Sequence, residues 1–430
     1  MASKAINVGV IGFGTIGTGV VKILQKDREI VQRRSGREVT LKTVADIAFQ
    51  EKGGVDFKRF ERTGDALQLI GDPEIDIVVE LIGGVGHAKT FVEAALKAKK
   101  HVVTANKELM AKHGKALIAL AKSERVNLYY EASSGGGIPI INALTSALAA
   151  NRFQRIYGIL NGTTNYILTK MHQEGAEFAD VLREAQALGY AEADPSSDVD
   201  GHDVAYKLAI LGSIAFDCHL NIDDVFRQGI RDVSFRDIEV AKQHGYVIKL
   251  LAIGILRDGD EVELRVHPVM LKASHPLAAV NESFNAVYVE GENIGETMFY
   301  GRGAGELPTA SAVVGDIVSI ARSIDADDTT PCLSFGGSER RVIPMGEIES
   351  KYFLRLIVKD SPGVLAAISR IFGDQKVSIT SVQQYTTKAT DAEIIIMTHR
   401  VKESRVQEAV RQIAELDVVT KVCSLIRAEL

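Results

Sequence analysis

A short apolar run, a glycine-rich turn and an amphipathic stretch follow one another at the start of the chain. They read INVGVI, GFGTIG and TGVVKIL over residues 6–24. A strand, a GxGxxG turn and a helix in this order predict a dinucleotide site, whereas an isolated GxGxxG can equally be a structural turn. The three glycines permit a tight turn, close approach of the pyrophosphate and close helix packing. We therefore predict a doubly wound α/β domain over residues 1–132, with cofactor-binding residues Gly12, Phe13, Gly14, Thr15, Ile16 and Gly17.

Two further apolar runs extend the predicted parallel sheet. Residues 75–82 read IDIVVELI and precede Gly83, and residues 101–104 read HVVT and precede Ala105-Asn106-Lys107. Runs of this kind are typical of strands covered on both faces. Because ligands of doubly wound folds bind at the carboxyl ends of the strands, Lys107 is a candidate site residue. The alternative is a solvated lysine at the start of the next helix.

A carboxylate at the end of the second predicted strand bears on the choice of coenzyme. Residues 39–45 form an apolar run that ends at Asp46. Such a carboxylate accepts hydrogen bonds from the adenosine ribose, which favours NAD over NADP, although it usually follows the motif by about 20 residues and lies further away here. Lys58 or Arg59 would instead offer a cation to a 2′-phosphate. We expect NAD or NADP as the cofactor, with NAD favoured.

A loop rich in ionisable residues precedes an apolar helix near the middle of the chain. Residues 185–207 read AQALGYAEADPSSDVDGHDVAYK, and the turn formers in this run cannot continue a helix. Asp203 and Lys207 lie four residues apart and share one helix face, while Glu192 and Asp198 lie on the loop. An exposed ion pair worth about 0.3 kcal/mol would have the same spacing. Ionisable groups on a loop beside an apolar helix are otherwise typical of a binding site.

The same run resembles the sequence signature of homoserine dehydrogenases. The matching positions are Ala185, Gly189, Tyr190, Ala191, Asp194, Pro195, Asp198, Gly201, Asp203 and Lys207. The TANK tetrapeptide at residues 104–107 also recurs in that family. The resemblance implies an NAD(P)-dependent oxidoreductase that interconverts L-aspartate 4-semialdehyde and L-homoserine, in the biosynthesis of threonine, methionine and isoleucine.

The resemblance also implies roles for individual residues. Lys207 is expected to donate the proton to the developing alkoxide, with Lys107 as a second cation and Asp203 as the third catalytic residue. The substrate-binding residues implied are Glu192, Asp198, Asp203 and Lys107, with bracing of the loop as the alternative role of Asp198. The residues implied beside the cofactor are Lys107 and Gly189. Many family members carry an Arg just after the second strand, whereas this chain has Ile47, which puts NADP in doubt.

Residues 128–141 read LYYEASSGGGIPII and place a carboxylate beside a glycine triplet. In the family this stretch resembles a site for a monovalent cation, Na⁺ or K⁺, with ligands from Glu131, Ser134, Gly136 and Ile138. Ligation by oxygen alone suits a hard cation. A loop whose backbone passes the substrate is an equal alternative. Residues 161–165, NGTTN, also resemble a family segment, but their side chains could simply cap the following helix.

The region of residues 133–324 is predicted to be an α+β domain for substrate binding and dimerisation. Residues 262–270 alternate as VELRVHPVM, and residues 286–290 resemble another strand. The run GRGAG at residues 301–305 precedes a helix over 306–324, which in the family returns to the dinucleotide fold. Gly303 and Gly305 are therefore expected close to the cofactor.

A polar segment over residues 325–349 is predicted to be a linker to a C-terminal domain. Residues 350–430 follow the pattern βαββαβ, which predicts a ferredoxin-like fold. Their run DSPGVL resembles the ACT regulatory domain, and the effector site is expected at Asp360, Gly363, Val364 and Leu365. The resemblance implies L-threonine as effector and symmetric pairing into a homodimer or homotetramer. The alternative is an inert dimerisation module.

Composition agrees with a cytoplasmic enzyme of several domains. The 430-residue chain has a net charge of −6, which offers no basic face for nucleic acid. No apolar run approaches the span of a bilayer, and the N-terminal apolar run already forms the first predicted strand, so we expect neither a membrane segment nor a signal peptide. Cys218, Cys332 and Cys423 are too scattered for a disulfide framework or a zinc site.

Two other functions share part of this evidence. A different Rossmann reductase, acting on another amino-acid-derived aldehyde, would share the N-terminal half but differ at residues 185–207. An amino-acid sensor with an unreactive dehydrogenase domain would keep the fold alone. The presence of Lys207, Lys107 and Asp203 argues against the sensor.

Overall fold

The computed structural model describes residues 5–258, 260–325, 339–386 and 390–429. Its strands are β1 (Ile6–Ile11), β2 (Val39–Ala45), β3 (Glu61–Thr63), β4 (Ile77–Glu80), β5 (His101–Thr104), β6 (Leu128–Tyr129), β7 (Phe153–Ile159), β8 (Phe226–Arg227), β9 (Tyr246–Arg257), β10 (Glu261–Lys272), β11 (Phe284–Gly291), β12 (Gly295–Arg302), β13 (Arg341–Val342), β14 (Glu349–Lys359), β15 (Ile379–Thr386), β16 (Asp391–Thr398), β17 (Val401–Lys402) and β18 (Val419–Glu429).

The helices of the same residues are α1 (Thr15–Lys26), α2 (Arg28–Ser35), α3 (Ala66–Gly71), α4 (Gly86–Lys97), α5 (Lys107–Glu124), α6 (Ile140–Asn142), α7 (Gly162–Glu174), α8 (Phe178–Ala187), α9 (Ser196–Val199), α10 (His202–Ala215), α11 (Phe235–Gln243), α12 (Glu306–Ser323), α13 (Val364–Asp374) and α14 (Glu403–Ala414). The chain divides into two units, one of residues 1–156, 206–222 and 285–340, and one of residues 157–205, 223–284 and 341–430.

The first unit contains a parallel sheet with the strand order β3-β2-β1-β4-β5-β6. This is the order of the doubly wound dinucleotide fold, so the prediction from the N-terminal pattern is confirmed. Both β1 and β4 are almost wholly buried, as expected for strands with helices on both faces.

Helix α12 packs against α1 and belongs to the core of the parallel sheet, although it lies almost 300 residues later in the chain. Gly19 of α1 makes the close approach possible, because a Cβ there would fall 2.7 Å from the carbonyl oxygen of Glu306. Lys22 adds an ion pair to Glu306 at 2.7 Å. The loop before α12 is thereby fixed to the cofactor-binding fold.

The second unit joins the ferredoxin-like strands to an antiparallel pair. Strands β9 and β10 pair over their whole length, β10 pairs in parallel with β18, and the sheet continues through β14 and β16 to β15. Helices α7 and α11 pack on β9, and α13 and α14 cover the C-terminal sheet. The predicted βαββαβ fold is confirmed.

Several sequence predictions can be placed on this fold only in part. Residues 326–338 of the predicted linker, with Cys332, lie outside the described residues.

Burial raises the pKa of Cys218 to about 11, so its thiol is unreactive at neutral pH. No helix among the described residues is both long and apolar enough to cross a membrane. The boundaries 1–132, 133–324 and 350–430 stay predictions.

Candidate active site

The glycine-rich turn between β1 and α1 has the geometry that its sequence predicts. Gly12 has a φ of 100°, and a Cβ there would lie 2.8 Å from the carbonyl oxygen of Leu81. A Cβ on Gly17 would lie 2.0 Å from the carbonyl oxygen of Gly12. Gly14 precedes the first turn of α1, and no atom lies within 4 Å of its Cβ position. The first and third glycines therefore serve the turn, and Gly14 leaves open space for a ligand.

The carboxylate of Asp46 lies at the end of β2 and is bonded to the same turn. Its Oδ2 accepts from the N–H of Phe13 at 2.6 Å, and its Oδ1 accepts from the N–H of Ala48 at 2.8 Å. Ile47 beside it is 95% exposed and contributes no charge. Asp46 is thus positioned beside the predicted cofactor turn, with its orientation fixed by two backbone donors.

Cations and aromatic rings surround this end of the cofactor turn. Phe13 stacks on Phe49 with ring centroids 4.6 Å apart, and the guanidinium of Arg62 lies over Phe49. The ammonium of Lys52 donates to the carbonyl of Phe13 at 3.1 Å. The side chain of Lys58 is exposed. The cation that sequence reasoning missed, Lys52, is the one bonded to the turn.

A cavity of about 360 Å³ in the first unit contains both predicted catalytic lysines. It is lined by Lys107 at the start of α5 and Lys207 on α10, together with Ile16, Leu81, Gly83, Gly84, Ala105, Asn106, Glu108, Ala132, Ser133, Gly136, Gly303, Ala304, Gly305 and Thr309. Lys207 is only 8% exposed. The cavity lies at the carboxyl ends of β4 and β5, where a doubly wound fold binds its ligands.

A hydrogen-bond network fixes the backbone before Lys107. Glu80, fully buried at the end of β4, accepts from the hydroxyl of Thr104 at 2.6 Å. Asn106 donates its side-chain amide to the carbonyl of Gly84 at 2.6 Å and caps α5 by accepting from the N–H of Leu109. Burial raises the pKa of Glu80 despite the hydrogen bonds that its carboxylate accepts. Glu80 has no local sequence signal, because it lies within an apolar run.

Gly303 and Gly305, which the sequence predicts to lie close to the cofactor, line the cavity. A Cβ on Gly303 would fall 1.9 Å from the side-chain nitrogen of Asn285, so no larger residue fits there without displacing Asn285. Gly305 precedes α12 with a φ of 118°. Both positions therefore require glycine for structural reasons, in addition to lining the cavity.

Glu131 and Asp316 form a pair of buried carboxylates in the first unit. Glu131 accepts from the N–H groups of Ile141 and Asn142 at 2.8 and 2.6 Å, and its own N–H donates to Asp316 at 3.0 Å. Burial raises the pKa of Glu131 to about 7. Burial and the nearby Glu131 charge raise the pKa of Asp316 well above its ordinary value.

The predicted cation ligands adjoin that pair. Ser134 and Ile138 are buried, and Gly136 has a φ of 58° with its Cβ position blocked by the Gly303 carbonyl. Among the described residues no group of three or more His, Cys, Asp or Glu side chains could bind a metal. Any cation here would therefore depend mainly on backbone carbonyls.

In the second unit, Asn161 connects two of the predicted substrate-binding carboxylates. Its side-chain nitrogen donates to Asp198 at 2.7 Å and to Asp203 at 2.9 Å. Asp203 lies in the first turn of α10, one turn before Lys207, and is 2% exposed. Asp203 and Lys207 are therefore both buried, unlike the two members of an exposed surface ion pair.

The loop before α10 is fixed by contacts that the sequence did not reveal. The Thr163 hydroxyl donates to the carbonyl of Tyr190 at 2.7 Å, and Arg231 donates to Asp200 at 2.5 Å. Gly189 has a φ of 76°, which the turn after α8 requires of it. The side chain of Glu192 is exposed. Arg231 carried no sequence signal, since its partner is distant in the chain.

The predicted effector loop follows β14 in the C-terminal sheet. Asp360 donates its N–H to the carbonyl of Thr390 at 2.9 Å, and Gly363 precedes α13 with a φ of 92°. Val364 is buried, and Leu365 is 40% exposed. The loop therefore presents a helix N-terminus beside an exposed apolar side chain.

A buried ionic network connects the C-terminal sheet to α11. Arg355 of β14 donates to Asp237 at 2.7 Å, to Ser234 at 2.9 Å and to Glu393 at 3.3 Å. Ser424 of β18 also donates to Asp237. Burial opposes the charge of Asp237, but the bonds from Arg355, Ser234 and Ser424 outweigh it and lower its pKa.

Comparison with known proteins agrees with this geometry. The chain matches the homoserine dehydrogenase NAD-binding domain over residues 12–131, the homoserine dehydrogenase catalytic domain over 139–318 and the ACT domain over 352–418. It is 43% identical to a homoserine dehydrogenase of Neisseria gonorrhoeae over 432 aligned residues, which cover 99% of each chain.

Solved structures give the same result. The crystal structure of a homoserine dehydrogenase from Thiobacillus denitrificans matches with a TM-score of 0.94 and 40% identity over 100% of this chain and 99% of that one. A hyperthermophilic archaeal homoserine dehydrogenase in complex with NADPH matches with a TM-score of 0.62 and 28% identity over 74% of this chain and 97% of that one. The chain belongs to the homoserine dehydrogenase family.

Proposed function

We propose that Lys207 and Lys107 carry out the proton chemistry of the family reaction, the interconversion of L-aspartate 4-semialdehyde and L-homoserine. A reduced nicotinamide, when bound, supplies the hydride. Lys207 donates a proton from its ammonium to the aldehyde oxygen, so that the alcohol forms and a neutral amine remains. Lys107 stabilises negative charge on the same oxygen. The observation that supports this assignment is that both lysines line one cavity among glycines.

The substrate's α-ammonium group is assigned to the carboxylates before Lys207. Carboxylates are acceptors only, so they suit an ammonium group. Asp203 and Asp198 are supported by their common donor, Asn161, which fixes their orientation. Glu192 is assigned the same task from the family resemblance alone, since its side chain is exposed.

For the coenzyme we propose that NAD is used at least as well as NADP. The carboxylate of Asp46 at the end of β2 supports a ribose hydroxyl and would repel a 2′-phosphate. The argument for NADP is that Lys52 lies at the same turn, and that the hyperthermophilic relative was solved with NADPH. The residues that would contact the cofactor are those of the glycine turn, with Asp46, Lys107, Gly303 and Gly305.

A monovalent cation fits the region of Glu131. Two buried carboxylates with raised pKa values lie together there, and a cation would offset their mutual repulsion. The carboxylate of Glu131 and the carbonyls of Ser134, Gly136 and Ile138 would hold it. Its part would be structural, because it would fix the turn that contributes Gly136 to the cavity.

The remaining assignments concern regulation and assembly. We assign L-threonine as the effector, bound at Asp360–Leu365, because backbone N–H groups at a helix N-terminus suit its carboxylate. We also propose that the C-terminal sheets pair to form a homodimer or homotetramer. The enzyme is assigned a cytoplasmic location and the domain ranges given above. A purely structural C-terminal module is the alternative for this part.

The test is a spectrophotometric assay of L-homoserine oxidation with Lys207→Ala. We expect kcat to fall by about 10²–10⁴-fold, as for a lost general acid or base. Coenzyme affinity should stay within about twofold of wild type, since the substitution leaves the contacts that bind the coenzyme in the ground state unchanged. Lys97→Ala is the control, because Lys97 is an exposed residue of α4 that pairs with Glu93, and neither residue lines the cavity.

The outcomes separate the alternatives. Near wild-type kcat in Lys207→Ala would contradict the acid role. A wild-type protein that oxidises another amino-acid-derived alcohol, but not L-homoserine, would be a different Rossmann reductase. One that binds coenzyme and an amino acid without turnover would be a sensor.

A further inference from the structure

We propose that Asn161 is a positioning residue of this enzyme, which fixes Asp198 and Asp203 as a pair through a single side-chain amide. The inference rests on the proposed substrate-binding role of these two carboxylates. The N–H groups of the amide donate at 2.7 Å to Asp198 and at 2.9 Å to Asp203. Asp198 lies in α9 and Asp203 in α10, so the amide connects two neighbouring helices.

The orientation of the Asn161 amide is fixed by its other end. Its oxygen accepts from the backbone N–H of Thr164 at 2.9 Å and from the Thr164 hydroxyl at 3.0 Å. A backbone N–H can only donate, so this end must be the oxygen. The nitrogen therefore must face the carboxylates. One side chain thus caps α7 and donates to both acids.

The segment that carries Asn161 is itself immobilised. Asn165, one turn later, donates to the carbonyls of Val280, Glu282 and Phe284 at 3.2, 2.9 and 3.1 Å. A Cβ on Gly162 would fall 2.8 Å from the carbonyl oxygen of Ser283, so the backbone passes closely there. A donor on such a rigid support can fix its acceptors to within the few tenths of an ångström that a binding site needs.

The chemistry explains why an amide is suited to this position. Two carboxylates bonded to one nitrogen repel each other, and hydrogen bonds to their charged forms offset that repulsion. The amide donates two protons without adding a positive charge. A lysine or arginine there would neutralise the carboxylates and compete with a substrate ammonium for them. The neutral donor therefore adds no cation that would compete with the ammonium group of the substrate.

A matched pair of substitutions separates positioning from helix capping. Asn161→Asp keeps the oxygen that caps α7, because Asp and Asn are about equally good N-caps. It replaces the donor by a third acceptor. Asn161→Ser also keeps a capping oxygen, but it adds no charge and does not reach the carboxylates. Asp65→Ala, which removes an exposed N-cap of α3, controls for the effect of a lost cap.

We expect kcat/KM for L-homoserine to fall by about 10–100-fold in both Asn161 variants, as when a partner that orients binding groups is lost. The KM for the amino acid should rise, while the KM for the coenzyme stays near wild type. The Tm should fall in both variants, because Asn161→Ser removes the donor of two carboxylates and Asn161→Asp buries a third carboxyl group beside them. In Asn161→Asp, the crowded third carboxyl binds a proton more readily and then donates again. Its activity relative to wild type should therefore increase as the pH falls, whereas the ratio for Asn161→Ser should not.

Wild-type KM and a flat activity ratio in Asn161→Asp would overturn the proposal and leave Asn161 as a helix cap. If Asn161→Asp does not fold, a wild-type KM in Asn161→Ser would overturn it as well. Failure of the proposed function is distinct, because it would appear as no oxidation of L-homoserine by the wild-type enzyme. The ratio of variant to wild type tests the inference only after that activity is present.

Discussion

Substitution of Arg355 by Met should destabilise the second unit, because it would leave a carboxylate buried without its cation. Asp237 is fully buried, and Arg355 donates to it at 2.7 Å from β14. Met has a similar length and keeps the apolar packing of the side chain. The change therefore tests the charge more than the volume.

The structure sets the expected size of this loss. Removal of one partner of a buried ion pair costs about 3–5 kcal/mol. Asp237 keeps bonds from Ser234 and Ser424, and Glu393 keeps its pair with Arg236, which favours the lower end. A loss of about 3 kcal/mol in a cooperative unit of about 200 residues corresponds to a fall in Tm of roughly 6–12 °C.

The dependence on pH follows from the charge of Asp237. Its pKa is lowered in the folded protein, so its contribution to stability is present above about pH 4 and lost as the pH falls through that lowered pKa. In Arg355→Met the pKa should rise, since burial then dominates. The stability difference between the two proteins should therefore be largest at neutral pH and shrink on acidification.

Thermal unfolding, followed by circular dichroism at pH 7 and at pH 5, measures both effects. Arg411→Met is the matched control, because Arg411 is 59% exposed and pairs with Glu408 on α14. Such a pair contributes about 0–1 kcal/mol. Equal shifts in Tm for the two variants would refute the reasoning. Addition of Asp237→Asn to Arg355→Met should recover stability, since Asp237 then no longer carries a buried charge without its cation, and Glu393 keeps its pair with Arg236.

Two predictions concern the cofactor and the effector. With L-homoserine, kcat/KM should be at least as high for NAD as for NADP at equal ionic strength. A strong preference for NADP would mean that Lys52 or a neighbouring cation binds the 2′-phosphate and that Asp46 does not oppose it. L-threonine should inhibit the full-length enzyme by a coupling of about 1–3 kcal/mol, and Asp360→Ala should weaken that inhibition while Asp374→Ala, at the other end of α13, should not. Inhibition that is unchanged in Asp360→Ala would place the threonine site elsewhere.

Sequence reasoning succeeded where the physical signal is local. The run from Ile6 to Gly17 specifies a strand, a turn and a helix within one short segment, and the C-terminal βαββαβ pattern is similarly local. Lys107 and Lys207, which line one cavity, belong to short motifs, TANK and the loop before Lys207. In each case neighbouring residues determine one another's conformation.

The contacts that sequence reasoning missed join residues that are far apart. Arg355 and Asp237 are 118 positions apart, and neither belongs to a motif. Asn161 was interpreted as a family residue or a helix cap, and the structure shows that capping uses only its oxygen. Lys52 has no sequence signal, because the loop after β2 has no periodicity from which the direction of its side chains could be predicted. Long-range pairing of this kind depends on the tertiary fold.

The attachment of the C-terminal sheet constrains how an effector could act on the enzyme. Strand β18 pairs directly with β10, and Arg355 of β14 donates to Asp237 in the first turn of α11. Helix α11 packs on α7, whose N-cap is Asn161. Deletion of the sheet would therefore expose the edge of β10 and leave Asp237 without its cation, so a truncated enzyme would not be a neutral control. An effector changes activity only by binding one arrangement of these elements better than another. Substitutions in the effector loop of the full-length chain leave those contacts intact, so they are the appropriate test of coupling.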